Sequence, residues 1–415
     1  MCLSHTISKE RRPVKVLVIN AGSSSLKFQL IDMENEKVLA KGNCERIGID
    51  GLVGYKNADG KEFKKDVTLP DHRAAFMEVK NALTDAEYGV ISDLSEVSAI
   101  GHRIVQGGAI FSKSVLVDED VIKGIESLIP LAPLHNKGHV QALRACVEVF
   151  GTELPQVVVF DTAFHSTMPE KAYIYPIPYE YYEKYQIRRY GFHGTSHRYV
   201  SGECAKMMGK DIKDLKLITC HIGNGSSITA IDGGKVIDTS MGLTPLDGFM
   251  MGSRTGTLDP SVVTFIAEKE NLTPAQMSDL LNKKSGLLGV SGVSSDDRDV
   301  TSAEKEGNPR AHLAHEILYY EIAKFIGGYY VALGGCDGMV FTAGLGENQV
   351  VLREKICEYL SCLGVKVDAD RNNAMIHGNG GKISADDSSI EVFVIPTNEE
   401  LVIARDTKAI VEGTL

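Results

Sequence analysis

The chain has 415 residues, is 43% hydrophobic and 24% charged, and carries a formal net charge of −11. One hydrophobic core rarely grows past about 250–300 residues, so this length points to two domains. The acidic balance, with no Lys/Arg stripe along the sequence, argues against a nucleic-acid partner, and no run reaches the roughly 18 apolar residues that span a bilayer.

Residues 1–13 are polar, with charges but no apolar stretch behind them, and read as a disordered extension rather than a signal peptide. From Val14, "VKVLVIN" and "LKFQLID" are strands separated by Asn20-Ala21-Gly22-Ser23-Ser24-Ser25. A polar hairpin turns at Asn57 to Gly60, "HRAAFMEVKNALTDA" has helical spacing, and "VSAIGHRIV" returns to strand. The stretch 118–151 reads as two helices broken at Pro130 and Pro133. "LPQVVVFDT" is a continuous apolar run ending in Asp161, the form of a buried central strand. Eight cysteines without a C-x-x-C pair, several inside apolar runs, fit reduced buried thiols in the cytoplasm.

Near residue 215 the order repeats. "LKLITCHIGNGSSITAIDGGKVIDTS" gives an apolar strand, a Gly/Ser break, an alternating strand ending in Ile-Asp, a turn and a third strand, as the opening does. "DGMVFTAGLGENQ" ends a further apolar strand in Gly-x-Gly. Glycine lets a ligand approach the backbone, serine adds hydroxyl donors, and successive N–H groups form an anion nest. These breaks therefore read as phosphate cradles, Ser23 and Ser25 in the first, with Lys27 two residues beyond Ser25 on its strand face. Neither G-x-x-x-x-G-K-[ST] nor a complete G-x-G-x-x-G is present.

Several charged residues stand in unusual settings. Arg103 lies in an apolar strand, and Arg254 lies among small residues in "MGSRTGTLDP"; both settings suit anion recognition. His193 and His197 share an i, i+4 spacing, but no third ligand is evident, and His193 beside Gly194 suits a donor to a ligand better than zinc. His135 and His139 read simply as a helix N-terminal region. Asp161 at a strand end calls for a cation, an arginine or magnesium. Asn398, Glu399 and Glu400 precede a helix, where one acid is expected to be plain N-terminal charge.

Assembled, "VINAGSSSLKFQL", "GHRIVQGG", "FDTAFHSTMP", "YGFHGTSH", "HIGNGSSI", "MGLTPLDGFMMGSRTGTLDP", "TAGLGENQ" and "IPTNEE" closely resemble the acetate kinase family, in order and over about residues 14 to 405. The resemblance implies an α/β fold of two duplicated ribonuclease-H-like, actin-like ATPase domains flanking an ATP cleft. The expected division is 14–161 plus 399–415 for the first domain and 162–398 for the second. It also implies a cytoplasmic homodimer that reversibly moves the γ-phosphoryl of ATP to acetate, giving acetyl phosphate and ADP. Propionate or another short-chain carboxylate is the alternative acceptor; a sugar kinase, an actin-like ATPase or a non-catalytic nucleotide binder are the readings from other classes.

By the same resemblance, Asn20 and Glu399 fall at magnesium-site positions (Mn²⁺ being a possible substitute), and Lys27 at an ATP contact. Arg103 matches the acetate-binding arginine, and Val105, Leu134, Phe192 and Pro245 match the methyl pocket. Asp161 matches the active-site aspartate, and His193 and Arg254 the transition-state stabilisers. The ATP segments fall on His221, Ile222, Gly223, Asn224 and Gly225; on Asp296, Asp297 and Arg298; and on Gly344, Leu345, Gly346, Glu347 and Asn348. The chain departs from the family pattern in the extension before Val14, and at Asp297 where an apolar residue is usual. It departs again at Gln349 where a small residue is usual, and at Lys137 where proline is common.

Overall fold

The computed structural model describes residues 14–133 and 135–415. The extension 1–13 and Leu134, placed above in the methyl pocket, lie outside the described residues. Two compact units form, one from the residues up to Gln106 with Lys113–Val159 and Glu400–Leu415, the other from Gly107–Ser112 and Phe160–Glu399. Asp161 and Glu399 thus belong to the second unit, as do residues 107–112.

The first unit holds an eight-stranded sheet of β1 (Lys15–Ala21), β2 (Ser25–Asp32), β3 (Lys37–Glu45), β4 (Leu52–Asn57), β5 (Glu62–Asp66), β6 (Ala99–Ile104), β7 (Val115–Leu116) and β8 (Gln156–Phe160). Its order is β5-β4-β3-β2-β1-β6-β8-β7. β1 to β5 form an antiparallel meander, and β6 joins β1 in parallel. The second unit holds β9 (Lys216–His221), β10 (Ser227–Asp232), β11 (Lys235–Thr239), β12 (Gly338–Thr342), β13 (Gly381–Lys382) and β14 (Glu391–Val394), in the order β11-β10-β9-β12-β14-β13. Again three antiparallel strands meet parallel ones, β12 beside β9 and β14 beside β12. The runs β3-β2-β1-β6-β8 and β11-β10-β9-β12-β14 are the same arrangement built twice, so the internal repeat is structural.

Alternation sets the faces of the meander. In β2, Leu26, Phe28 and Leu30 are buried against Phe76 and Val79 of the helix His72–Leu83, while Lys27 points to the other face. β8 and β12 are buried at every position, as continuous apolar runs require. The two helices broken at the prolines are Glu119–Ser127 and Asn136–Phe150, with a 3₁₀ turn at Ile129–Leu131 between them. In the second unit, Leu318, Ile322 and Ile326 of the long helix Pro309–Leu333 pack with Ile218, Ile228 and Phe341.

Two local expectations change. β1 continues through Ala21 and β2 begins at Ser25, so the first break is only Gly22, Ser23 and Ser24, closed by Gly22 N–H donating to the Ser25 carbonyl at 2.7 Å. The Gly-x-Gly after β12 is no open turn but the short helix Ala343–Asn348. The seven described cysteines are unpaired thiols, five of them buried. Among the described residues, no helix is long and apolar enough to cross a membrane.

Candidate active site

In the second unit, β9 stops at His221 and β10 starts at Ser227, leaving Ile222–Ser226 as a five-residue turn. Ser226 Oγ accepts from Gly223 N–H at 3.1 Å and donates to the Gly223 carbonyl at 2.9 Å, which fixes the turn from inside. Leu345 and Gly346 N–H donate to the Ile222 carbonyl at 2.8 and 3.1 Å, laying the 344–348 segment beside it. Ile222, Gly223, Asn224, Leu287, Asp297 and Leu345 share one small cavity, so all three expected ATP segments border the same space. Glu347 turns inward, its carboxylate accepting from Ala343 N–H at 2.8 Å and Thr397 N–H at 3.2 Å. Arg298 is exposed and holds Asp296 at 2.6 Å, pulling that carboxyl down to about 2 through the hydrogen bond.

The side chains of Arg254 and His193 converge over Gly225. A Cβ there would lie 3.2 Å from Arg254 Nη1 and 3.3 Å from His193 Nε2, so only a hydrogen leaves both groups in place. Arg254 Nη1 donates to the Pro245 carbonyl at 3.1 Å, and partial burial lowers its pKa. His193 Nδ1 meets Ser227 Oγ at 2.9 Å, and its ring stacks on His221 with centroids 4.0 Å apart. His221 Nδ1 in turn meets Ser196 Oγ at 2.8 Å. Phe192 is buried beside His193, across a cis peptide. Asp161, 1% exposed, accepts from Thr195 Oγ1 at 3.1 Å, and its backbone carbonyl accepts from Gly194 N–H at 2.9 Å. A Cβ on Gly194 would stand 2.1 Å from that carbonyl, which explains a glycine just after His193. His197 is not a metal ligand: it is fully buried between Thr219 Oγ1 at 2.7 Å and Ser227 Oγ at 2.8 Å, and burial drives its pKa well below the usual value.

In the first unit, Arg103 Nη1 donates to Asn20 Oδ1 at 3.4 Å, across the parallel pair β1 and β6. Val105 is buried, and its N–H donates to His139 Nε2 at 3.3 Å. Gly138 lets the helix Asn136–Phe150 approach the first turn, since a Cβ would sit 3.2 Å from Ser23 N. A cavity of about 710 Å³ is lined by Asn20, Lys27, Lys41, Asn43, Lys56 and Lys64. These four lysines come from β2, β3, β4 and β5, so their cluster exists only across strands and is invisible along the sequence.

Residues 15–405 match the family model described as the acetokinase family. The chain belongs to the acetokinase family. An acetate kinase of Methanosarcina barkeri is 56% identical over 96% of this chain and 97% of its own. One of Thermotoga petrophila is 54% identical over 96% of this chain and 99% of its own. The solved acetate kinase of Porphyromonas gingivalis is similar at 46% identity and a TM-score of 0.92, covering 96% of this chain and all of that one. A propionate kinase of Francisella tularensis is similar at 41% identity and a TM-score of 0.88, covering 95% of this chain and 99% of that one.

As an acetokinase-family enzyme, the chain has its expected site residues divided between its units. Asn20, Ser23, Ser25, Lys27, Arg103 and Val105 lie in the first; Asp161, Phe192, His193, the three ATP segments, Pro245, Arg254 and Glu399 lie in the second. His139 lies in the first turn of the helix Asn136–Phe150, as its place in the sequence suggested, but it does more than start a helix. It is buried, burial pushes its pKa down to about 3, and the neutral ring can accept from Val105 N–H. Its spacing before an apolar run held no signal for this; only the fold brings it under Val105. The acids at 296 and 297 also differ from their appearance in sequence, since Asp297 is 6% exposed and bonded to His315.

Proposed function

We propose that the protein reversibly transfers the γ-phosphoryl group of ATP to acetate, yielding acetyl phosphate and ADP by direct in-line transfer. The observation carrying this reading is the convergence of Arg254 Nη1 and His193 Nε2 over Gly225, beside the turn that adjoins the 344–348 segment. Phosphoryl transfer leaves charge on three equatorial oxygens of a loose transition state, and fixed donors aimed there stabilise it. A carboxylate with a pKa near about 4 is already ionised at neutral pH and needs no general base. Asp161 is therefore an orienter, holding Thr195 and the Gly194 backbone that present His193.

Arg103 pairs with the acceptor carboxylate, and Val105, Phe192 and Pro245 bound its methyl group. Ser23, Ser25, Lys27, His221–Gly225, Asp296–Arg298 and Gly344–Asn348 hold the nucleotide. Asn20 and Glu399 offer an amide and a carboxylate oxygen, the hard donors that Mg²⁺ takes together with water and phosphate oxygens. No group of three His, Cys, Asp or Glu able to hold a metal occurs among the described residues, and a Mg²⁺ shared with phosphate needs none. When bound, that ion neutralises phosphate charge.

The enzyme works in the cytoplasm as a homodimer. Buried thiols support the compartment, and the exposed Val262, Phe265, Leu313 and Val331 on two helices of the second unit support self-association. Propionate is the second acceptor to weigh, because the Francisella relative bears that name. A hydroxamate assay with ATP over formate, acetate, propionate and butyrate decides between them. The highest kcat/KM with acetate is the expected result; no hydroxamate, or a preference for propionate, overturns the acceptor assignment.

A further inference from the structure

Asp297 and Gln349 lie 52 positions apart and touch. Asp297 opens the helix Asp297–Lys305, directly after its capping Asp296, and Gln349 closes the helix Ala343–Asn348. Gln349 Nε2 donates to Asp297 Oδ2, and Thr301 Oγ1 donates to the same oxygen at 3.5 Å. Behind them, His315 of the helix Pro309–Leu333 is 2% exposed. Its Nε2 meets Asp297 Oδ1 at 3.2 Å and its Nδ1 meets Glu304 Oε2 at 2.5 Å. A neutral imidazole donates from one nitrogen only, so carboxylates on both nitrogens select the imidazolium.

Burial works against that charge, but the hydrogen bonds to Asp297 and Glu304 outweigh it and raise the His315 pKa. The other titratable groups around the ring are Tyr319, stacked at 5.8 Å, and His312, which shares Glu304 at 2.7 Å. A carboxylate 6% exposed at a cavity wall beside Leu287, Leu318 and Leu345 is costly to bury alone. His315 and Gln349 offset that cost, and in doing so tie together two segments that border one cavity.

We propose that Gln349, Asp297 and His315 form a latch that positions the 296–298 and 344–348 segments for the nucleotide, with His315 as a positioning residue rather than a catalytic one. The proposal rests on the nucleotide reading above and adds a determinant of nucleotide affinity. Gln349 and His315 are not among the residues proposed to hold the acceptor, so the latch acts on nucleotide binding rather than on the transfer step.

The test is ADP binding by calorimetry without any carboxylate, together with thermal midpoints. Gln349→Ala weakens ADP roughly tenfold, the loss of one hydrogen bond to a charged group, with little change in midpoint. His315→Leu weakens ADP at least as much and also lowers the midpoint, because it leaves the buried Asp297 without its cationic partner. His315→Gln keeps one donor and recovers part of both. The pair Asp297→Leu with His315→Leu recovers the midpoint but not ADP affinity, a separation that a purely structural role does not give. Wild-type affinity in Gln349→Ala, or joint recovery of affinity and midpoint in the double variant, overturns the latch. A wild-type protein that binds ADP but forms no hydroxamate overturns the acceptor assignment instead, and one that binds no ADP overturns both.

Discussion

Gly225→Ala places a single methyl group where the two proposed stabilisers meet. That carbon would stand 3.2 Å from Arg254 Nη1, 3.3 Å from His193 Nε2 and 3.6 Å from His193 Cε1. The first two are closer than ordinary van der Waals contact, so the guanidinium and imidazole must each give way by a few tenths of an ångström. The methyl also occupies the space their N–H groups face. Gly225 is outside the left-handed φ range, so alanine there carries no backbone strain and by itself raises stability by up to about 1 kcal/mol through the unfolded chain. The chemistry suffers differently. Loss of one preorganised donor costs about 10²–10³ in kcat, and small misplacements approach 10². With two donors disturbed, kcat falls by at least about 10², or about 2.7 kcal/mol of transition-state stabilisation. The hydroxamate assay at saturating ATP and acetate reads kcat, and a thermal melt reads stability. A Gly225→Ala protein with kcat within threefold of wild type and an unchanged melt would refute the convergence as the source of catalysis.

Three further outcomes follow from the same geometry. Arg254→Ala lowers kcat by about 10²–10³, and a wild-type kcat removes that residue from the mechanism. Val105→Ala enlarges the methyl pocket and moves the propionate/acetate ratio of kcat/KM towards propionate by at most about 1–3 kcal/mol; an unchanged ratio means Val105 does not border the methyl group. Burial lowers the pKa of His102 to about 4 and of His139 and His165 to about 3, so each is neutral when folded. Their stabilisation is complete above about pH 6.5 and is lost as pH falls towards 4 and 3, by about 1.4 kcal/mol per pH unit per histidine. Urea unfolding at pH 7, 6 and 5 measures this slope, and a flat profile contradicts it.

The strands and their repeat were readable because their signals are local. The alternation of β2, the apolar run of β8 and the repeated Ile-Asp endings each lie within ten residues, and they gave the duplicated sheets. The prolines at 130 and 133 likewise marked the break between two helices. Contacts made by tertiary folding were not readable. Nothing near His139 announces Val105, 34 positions away, and nothing near Asp297 announces Gln349. The lysines around the first-unit cavity are spaced as solvent-facing strand residues, and only the cross-strand register gathers them. The Gly-x-Gly at 344–346 misled because glycine signals an open turn, whereas the segment is a short helix whose Leu345 and Gly346 N–H groups bond to the distant Ile222 carbonyl.

The central claim is that the turn at 222–226 and the guanidinium and imidazole above Gly225 receive the terminal phosphoryl of ATP. A crystal structure with a non-hydrolysable ATP analogue and acetate measures this directly. The account predicts the terminal phosphoryl oxygens within hydrogen-bond distance of His193 Nε2 and Arg254 Nη1. A nucleotide bound elsewhere, with Gly223 to Ser226 facing solvent, contradicts it.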